Sequence, residues 1–246
     1  QIVLLDAQGQ QDVEAGLPMR TDTIFRIYSM TKPVTSVAVL MLMEQGHLQL
    51  DDPVAEYLPE LRGLSVYKNL RRREPLQRPV TIRDLLRHTS GFTYGFFGLG
   101  PVERLYMADH PLFSSSQEQM LEKLATLPLV EQPGTKWRYS VSTDVLGALV
   151  ARVSGQSLGE FFQEHIFLPL SMEDTSFVVP DEKMDRFASV YGLNMSLMEA
   201  ASSSAYRQPN RLQSGGGGLV STASDYHRFC QMLLDGGVHD GQRLLK

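Results

Sequence analysis

Ser29 and Lys32 have the spacing of a serine nucleophile and its proton acceptor. Lys32 is the only charged residue between Arg26 and Glu44, in a mostly apolar stretch. On a helix, residues three apart lie on one face about one turn from each other, so the Lys32 amine can reach the Ser29 hydroxyl. Burial disfavours the ammonium form of a lysine, and a neutral amine can take the serine proton. The pair therefore predicts acyl-enzyme chemistry at Ser29.

A Ser-x-x-Lys tetrapeptide is weak evidence by itself, because the chain contains a second one at Ser65 to Lys68. That copy lies in a polar, arginine-rich stretch, where nothing would perturb a lysine. The alternative interpretation of the first copy is a helix N-cap at Ser29, with Lys32 extending to solvent. The apolar helical segment behind Ser29 favours the chemical interpretation. The N-terminal end of that helix also offers free N–H groups that can hold an oxyanion.

The sequence around the first motif alternates between strand-like and helical patterns. Residues 1–28 are enriched in β-branched and aromatic residues, as strands are, and residues 29–45 have helical character. The pattern is mainly helical from about 80 to 170, extended over 174–192, and helical again over 223–235. Helices enclosed by strand-like segments indicate a helical region inserted into a sheet domain.

Four pairs of a Ser or Thr with an acid three residues later predict helix starts, because the two side chains satisfy free N–H groups of the first turn. The pairs are Thr81 with Asp84, Ser115 with Glu118, Ser157 with Glu160, and Thr222 with Asp225. Ser157 also lies in Gly155-Gln156-Ser157-Leu158-Gly159, which has the letters of an α/β-hydrolase nucleophile elbow. That elbow follows a strand, whereas the residues before Gly155 have helical period. We therefore interpret Gly155 as a helix end and Ser157 as a cap.

Composition excludes several classes of partner. The net charge of -5 gives no reason to expect nucleic acid or an anionic membrane. No apolar run is long enough to insert across a bilayer. Cys230 is the only cysteine, which excludes an internal disulfide, and its apolar helical context predicts a buried thiol. None of the six histidines has metal-ligand spacing, so neither a metal nor a cofactor is indicated.

Several motifs together resemble one family. They are Phe25 to Thr35 with its Ser-x-x-Lys core, Leu85 to Gly91, Pro133 to Ser140, and Ser214 to Thr222. In this order they are similar to the serine β-lactamase-like superfamily, and in particular to the class C-type esterases, the family VIII carboxylesterases. The resemblance implies an α/β (α+β) fold of the β-lactamase and penicillin-binding-protein type, with an antiparallel sheet flanked by helices. On that basis we expect residues 1–60 and 174–246 to belong to the sheet-containing domain and residues 61–173 to form a mainly helical domain.

The resemblance also implies site residues. The family has a Tyr-x-Asn motif whose tyrosine assists proton transfer, and the matching tyrosine is Tyr139. Val141 replaces the asparagine that contacts the substrate's amide side chain in β-lactamases, and valine cannot make that hydrogen bond. This departure favours carboxylic esters over β-lactam amides. Together with Val141, the resemblance implies substrate-binding roles for Trp137, Gly215 and Gly216.

A third family motif, Lys/His-Thr/Ser-Gly or Trp-Gly-Gly on a strand, has no convincing match. His239-Asp240-Gly241 has the right letters but falls in a turn five residues before the end. We expect that the family's strand lies beyond Lys246 and that the chain is truncated at both ends. Since that strand supplies an oxyanion donor, its loss predicts weak or absent hydrolysis, at a cost of about 2.7–4 kcal/mol.

The sequence therefore predicts a serine hydrolase that cleaves small-molecule carboxylic esters through Ser29, Lys32 and Tyr139, without metal or cofactor. Two alternatives stay open. One is a β-lactamase or D-amino-acid peptidase that acts on amides with the same site. The other is a catalytically silent binding protein of the same fold. Oligomeric state and compartment are not indicated by the sequence.

Overall fold

Helix α1 (Thr31–Glu44) lies in the centre of the main hydrophobic core. The computed structural model describes residues 2–209 and 211–246. Eight of the fourteen residues of α1 are buried, which places the helix between other elements rather than on the surface. Gly46, at a φ of +80°, follows the end of the helix, where the left-handed backbone suits glycine. The helix predicted from the apolar pattern of residues 29–45 is thus confirmed, and it ends at Glu44.

Seven further α-helices surround or follow α1 in the described residues. They are α2 (Val54–Tyr57), α3 (Ile82–Leu86), α4 (Pro101–Ala108), α5 (Gln117–Thr126), α6 (Ser142–Ser154), α7 (Leu158–Phe162) and α8 (Ala223–Leu234). Helix α6 packs directly against α1, and its buried residues belong to the same hydrophobic cluster. No helix in residues 2–209 and 211–246 has the length and apolar character needed to cross a membrane.

The strands are short and pair in antiparallel twos. The pairs are β1 (Gln10–Asp12) with β2 (Leu17–Pro18), β3 (Phe25–Arg26) with β8 (Val220–Ser221), β4 (Ser65–Asn69) with β5 (Arg72–Pro75), β6 (Val190–Tyr191) with β7 (Leu197–Glu199), and β9 (Val238–His239) with β10 (Gln242–Arg243). In the β3–β8 pair, Arg26 lies opposite Val220. This pairing joins the residues before Ser29 to those that follow the glycine run at 215–218.

Several local predictions were wrong. Residues 2–7 form no strand, and the first strand begins only at Gln10. The arginine-rich stretch, whose polar residues led us to expect a solvated loop, is the β4–β5 hairpin, and Lys68 is exposed at an irregularity in its register. The Cys230 thiol, expected to be buried, is exposed on α8. The division into two domains stays a prediction.

Candidate active site

Ser29 lies on an exposed 3-10 turn, Tyr28–Met30, that leads directly into α1. The prediction that Ser29 begins the α-helix is corrected by two residues, since α1 starts at Thr31. Tyr28 has a φ of +42°, a left-handed conformation that is costly for a large side chain. The turn is fixed by Tyr226, whose hydroxyl donates to the Met30 carbonyl over 2.9 Å. A tight, anchored turn thus presents the Ser29 hydroxyl to solvent.

The Ser29 hydroxyl has two polar partners. Lys32 Nζ lies 3.2 Å from Ser29 Oγ, and the Tyr139 hydroxyl donates to Ser29 Oγ over 2.6 Å. Lys32 Nζ also lies 4.6 Å from the centre of the Tyr139 ring and donates to the Gly216 carbonyl over 2.6 Å. The structure therefore brings together all three predicted catalytic residues. The arrangement can withdraw a proton from the serine and return it to a leaving group.

Tyr139 is held in place by aromatic neighbours. It lies in the irregular segment before α6, and its ring centre is 4.9 Å from that of His88 and 5.3 Å from that of Tyr94. Phe97 and Trp137 lie further out, at 5.8 and 6.3 Å. Contacts on several sides restrict the ring, so the phenol oxygen has a fixed position next to Ser29.

His88 packs against Tyr139 on the interior side of this aromatic cluster. Burial, with a smaller contribution from the charge of Lys32, lowers the pKa of His88 to about 4, so the imidazole is neutral near pH 7. Its Nδ1 is 3.3 Å from the Ser140 hydroxyl, the first of three buried hydroxyls. Ser140, Ser142 and Ser90 follow one another at 2.8 and 2.7 Å. These buried hydroxyls therefore serve as hydrogen-bond partners for one another and for His88 beneath the site.

The glycine run predicted to line the site is buried against α1 and α6. The Gly215 carbonyl accepts from Thr35 over 2.7 Å, and the Gly216 carbonyl accepts from Lys32. The Gly216 N–H donates to Asp144 over 3.1 Å. A Cβ on Gly216 would collide with the Asp144 carboxylate, which explains glycine at this position. Gly215 and Gly216 therefore hold Thr35 and Lys32 in place, and they do not form an open substrate wall.

Trp137 and Val141 have opposite surroundings. Trp137 is 68% exposed and, with Thr93, Phe97, Arg138 and Tyr139, lines a groove of about 460 Å³. The Val141 side chain is fully buried in the hydrophobic core and offers no surface to a ligand. The predicted substrate-binding role of Trp137 fits its position. That of Val141 is corrected, because its side chain packs inward beneath the start of α6.

Asp144 is a residue of this site that the sequence did not reveal. It is fully buried on the first turn of α6, where one oxygen accepts from Gly216 and from the Ser214 hydroxyl. An acid in the first turn of a helix is usually a solvated residue at the positive end of the helix dipole. The only unusual signal was the wholly apolar run that follows it.

The remaining candidates lie elsewhere or have structural roles. Ser157 caps α7 in a reciprocal capping box with Glu160, and Gly155 ends α6 at a φ of +73°, which confirms that this motif is no nucleophile elbow. His239 lies in the β9–β10 hairpin. Within residues 2–209 and 211–246, no group of three or more His, Cys, Asp and Glu side chains could hold a metal ion.

Comparison with known proteins identifies the family. The beta-lactamase family model matches residues 1–246. Protein Rv1367c of Mycobacterium tuberculosis is 42% identical over 243 residues, covering 96% of this chain and 60% of the relative. Esterase EstB of Burkholderia gladioli is 38% identical over 254 residues, covering 95% of this chain and 62% of EstB. The chain thus spans about three fifths of the length of these curated relatives.

A solved structure agrees with this assignment. EstCE1, a hydrolase with promiscuous acyltransferase activity, matches with a TM-score of 0.80 and 30% identity, covering 97% of this chain and 66% of EstCE1. The resemblance to esterase-like members and the expected fold class are both confirmed. The chain belongs to the beta-lactamase family.

Proposed function

We propose that this chain carries the nucleophilic site of a serine hydrolase that cleaves carboxylic esters through an acyl-enzyme on Ser29. The observation that carries the proposal is the position of Ser29 Oγ between Lys32 Nζ at 3.2 Å and the Tyr139 hydroxyl at 2.6 Å. Both distances allow direct proton transfer. The esterase relative EstB supports esters as the substrate class.

In the acylation step, Lys32 acts in its neutral form as the general base. One N–H of the amine donates to the Gly216 carbonyl, which allows the lone pair to face Ser29. Lys32 takes the Ser29 proton while Oγ forms a bond to the ester carbonyl carbon. The negative charge moves to the carbonyl oxygen, and we assign the Ser29 N–H, on the 3-10 turn that precedes α1, as a donor to it. The carbonyl double bond then forms again from the electrons on that oxygen, and the ester C–O bond breaks. The alcohol leaves with a proton relayed from Lys32 through Tyr139.

Deacylation reverses these roles. Water takes the place of the alcohol and loses a proton to Tyr139 and Lys32 as its oxygen attacks the acyl carbon. The bond to Ser29 Oγ breaks, the serine recovers its proton, and the carboxylic acid leaves. Because the same groups act as base and then as acid, the site needs no metal or cofactor for either half-reaction.

The groove beside Tyr139 supports an apolar group on the substrate. Phe97 and Trp137 are about two-thirds exposed there, although large aromatic side chains are usually covered. Their ring centres lie 5.8 and 6.3 Å from that of Tyr139, and the Tyr139 hydroxyl contacts Ser29. A substrate group bound in the groove would therefore lie close to the Ser29 hydroxyl. We propose that the groove binds the apolar part of the ester.

The two alternatives have less support. For amide hydrolysis, Val141 offers no hydrogen bond to an amide side chain and is buried besides. A silent binding protein would not require the Ser29 hydroxyl to be exposed and bonded to both Lys32 and Tyr139.

Covalent labelling tests the proposal. We expect a fluorophosphonate to add its mass to Ser29, as located by peptide mass spectrometry, and Lys32→Ala to abolish the label. Ser157→Ala is the matched control and should label normally, because Ser157 only caps α7. A folded wild-type protein that takes no label would support the binding protein instead, and a label on Ser157 would contradict our assignment of the nucleophile. Faster hydrolysis of a chromogenic cephalosporin than of p-nitrophenyl butyrate would favour the amide alternative.

A further inference from the structure

Helix α4 lies between the β4–β5 hairpin and the loop that carries Phe97 of the aromatic groove. On one side of the helix, Leu105 faces residues 69–73 of the hairpin tip across a cleft of about 420 Å³. On the opposite side, Met107 packs against Gly95, two residues before Phe97. The hairpin tip, α4 and the groove loop are therefore neighbours on the surface of the molecule.

Apolar side chains protrude from this surface. Leu70 at the hairpin tip is 90% exposed, and Leu99, in the loop that leads into α4, is 92% exposed. Leu105 and Met107 on the helix are exposed as well. Single exposed leucines are common on proteins, whereas several on adjoining elements mark a surface that another molecule or phase covers.

The same surface has an excess of positive charge. Four exposed arginines belong to it, namely Arg71, Arg72, Arg73 and Arg104. The acids of these elements each pair with another base, in the ion pairs Glu74–Lys68, Glu103–Arg138 and Asp109–Lys123. Among residues 2–209 and 211–246, none of the four arginines has a carboxylate partner. We call these arginines, together with Leu70, Leu99, Leu105 and Met107, the α4 face.

The net charge of the chain does not describe the charge of the α4 face. The value of -5 is an average over all 246 residues. A charged partner responds mainly to charges within about one Debye length, which is roughly 8 Å at physiological ionic strength. A local surplus of arginines therefore attracts an anionic surface even though the chain as a whole is acidic.

We propose that the α4 face docks on an anionic lipid surface. The arginines attract the headgroups, and the protruding leucines enter the boundary between headgroups and acyl chains. A folded protein partner would require a close-packed complementary surface, whereas a layer of headgroups accepts single side chains such as Leu70 on a hairpin tip. Docking would bring the groove beside Tyr139 close to lipid-borne esters. This last step rests on the proposed function, and docking itself does not.

The test is cosedimentation of the wild-type chain with vesicles made of equal parts of phosphatidylcholine and phosphatidylserine. We expect binding that weakens as salt is added, and much weaker binding to vesicles of phosphatidylcholine alone. Arg71→Glu with Arg72→Glu should lower the partition coefficient by roughly tenfold or more, because each basic side chain near the surface contributes about fivefold. Leu70→Ser should lower it by roughly tenfold at unchanged charge, since a buried leucine is lost.

Two controls carry the same changes elsewhere on the surface. Arg20→Glu with Arg207→Glu alters the net charge equally, at two exposed arginines that lie outside the α4 face. Leu193→Ser replaces a leucine that is 91% exposed in the β6–β7 hairpin. Both should bind as wild type does, with circular dichroism to confirm folding of every variant. A loss in the controls equal to that in the α4-face variants would contradict the assignment of the face.

Two further outcomes would overturn the proposal. A folded wild type that does not bind the anionic vesicles would leave an acidic protein as the occupant of the α4 face. A loss in the arginine variant without any loss in Leu70→Ser would mean that charge alone binds, as it does for nucleic acid.

Hydrolysis plays no part in sedimentation, so docking and the proposed function can fail separately. With p-nitrophenyl palmitate held in the anionic vesicles, Arg71→Glu with Arg72→Glu should hydrolyse the ester more slowly than wild type. Its rate on soluble p-nitrophenyl butyrate should be unchanged. Equal rates of the two proteins on the vesicle-borne ester would show that docking does not deliver the substrate. A wild type that binds vesicles but neither hydrolyses an ester nor labels at Ser29 would disprove the proposed function and leave docking in place.

Discussion

Lys32 Nζ lies closer to the Gly216 carbonyl oxygen, at 2.6 Å, than to Ser29 Oγ, at 3.2 Å. The two contacts come from parts of the chain about 190 residues apart, since Ser29 precedes α1 and Gly216 precedes β8. The helix places the amine near the serine, and the glycine run determines how the amine is oriented. The orientation of the Lys32 amine therefore depends on a loop as much as on the Ser-x-x-Lys spacing.

This dependence predicts the effect of Gly216→Ala. A Cβ at Gly216 would collide with the Asp144 carboxylate, so the turn must move and its contact with Lys32 is lost or lengthened. Loss of one precisely placed contact to a catalytic group lowers kcat by roughly 10²-fold. The measurement is steady-state hydrolysis of p-nitrophenyl butyrate, with circular dichroism to confirm folding.

Gly217→Ala is the control for that substitution. A Cβ at Gly217 would lie 3.7 Å or more from its neighbours, which is ordinary van der Waals contact, and its φ is not left-handed. We expect activity within about twofold of wild type, because no contact of the site is displaced. If both alanine variants lose activity equally, the loop is sensitive to any substitution and the specific role of Gly216 is disproved.

Tyr139→Phe tests the second partner of Ser29. The variant removes the hydroxyl that donates over 2.6 Å but keeps the ring and its contacts with His88 and Tyr94. We expect kcat to fall by roughly 10²–10⁴-fold, the usual contribution of a general acid or base, with little change in KM. Tyr191→Phe removes a hydroxyl that bonds only to residues of the β1–β2 hairpin and should be neutral. Unchanged kcat in Tyr139→Phe would show that Lys32 alone moves the proton.

Helix α1, which follows Ser29 and carries Lys32, was predictable from sequence because its signal is local. The helical pattern was predicted to extend to residue 45 and α1 ends at Glu44, and the capping pairs at Thr81 and Ser157 are present as predicted. The pair at Ser115 was one residue off, because Ser116 is the cap and accepts from the Gln119 N–H. Glutamine can take the place of the acid in this pattern, and Gln119 follows Ser116 at the same spacing, so spacing alone could not choose between the two serines.

What the sequence could not provide is contact between distant segments. Asp144 reaches Gly216 across 72 positions, and a single sequence contains no signal for such a pair. Val141 was assigned to the substrate by analogy with an asparagine, but an apolar residue at the start of a buried helix gains free energy by packing inward. Polar residues at fixed spacing were therefore predicted well, whereas the direction of an apolar side chain was not.

The buried imidazole of His88 predicts a loss of stability in acid. Its pKa of about 4 in the folded protein lies below the value of 6.5 in the unfolded chain. The unfolded state therefore binds a proton first as the pH falls, and the free energy of unfolding decreases from about pH 6.5 down to about pH 4. His88→Asn removes this titration, and asparagine tolerates the φ of +56° at this position.

The measurement is the unfolding temperature of wild type and His88→Asn over this pH range. As the pH falls, the unfolding temperature of wild type should decrease more than that of His88→Asn. This holds whichever of the two proteins is more stable at pH 7. His47→Asn replaces an exposed histidine and should show no such trend relative to wild type. A constant difference between wild type and His88→Asn would mean that the pKa of His88 is the same in the folded and the unfolded protein, which would contradict the lowered pKa.

The aromatic groove predicts substrate preference. Phe97→Ala removes one wall of the groove. We expect KM for a naphthyl ester to rise about threefold to tenfold, which is the range of a lost aromatic contact. KM for an acetate of a small alcohol should stay the same. The kcat for the small ester should not change, because Phe97 does not touch Ser29, Lys32 or their hydrogen bonds. Phe113→Ala is the matched control, since Phe113 is 83% exposed and does not line the groove. Equal effects on both esters would mean that Phe97 supports Tyr139 rather than the substrate, and an effect of Phe113→Ala would place the apolar group elsewhere.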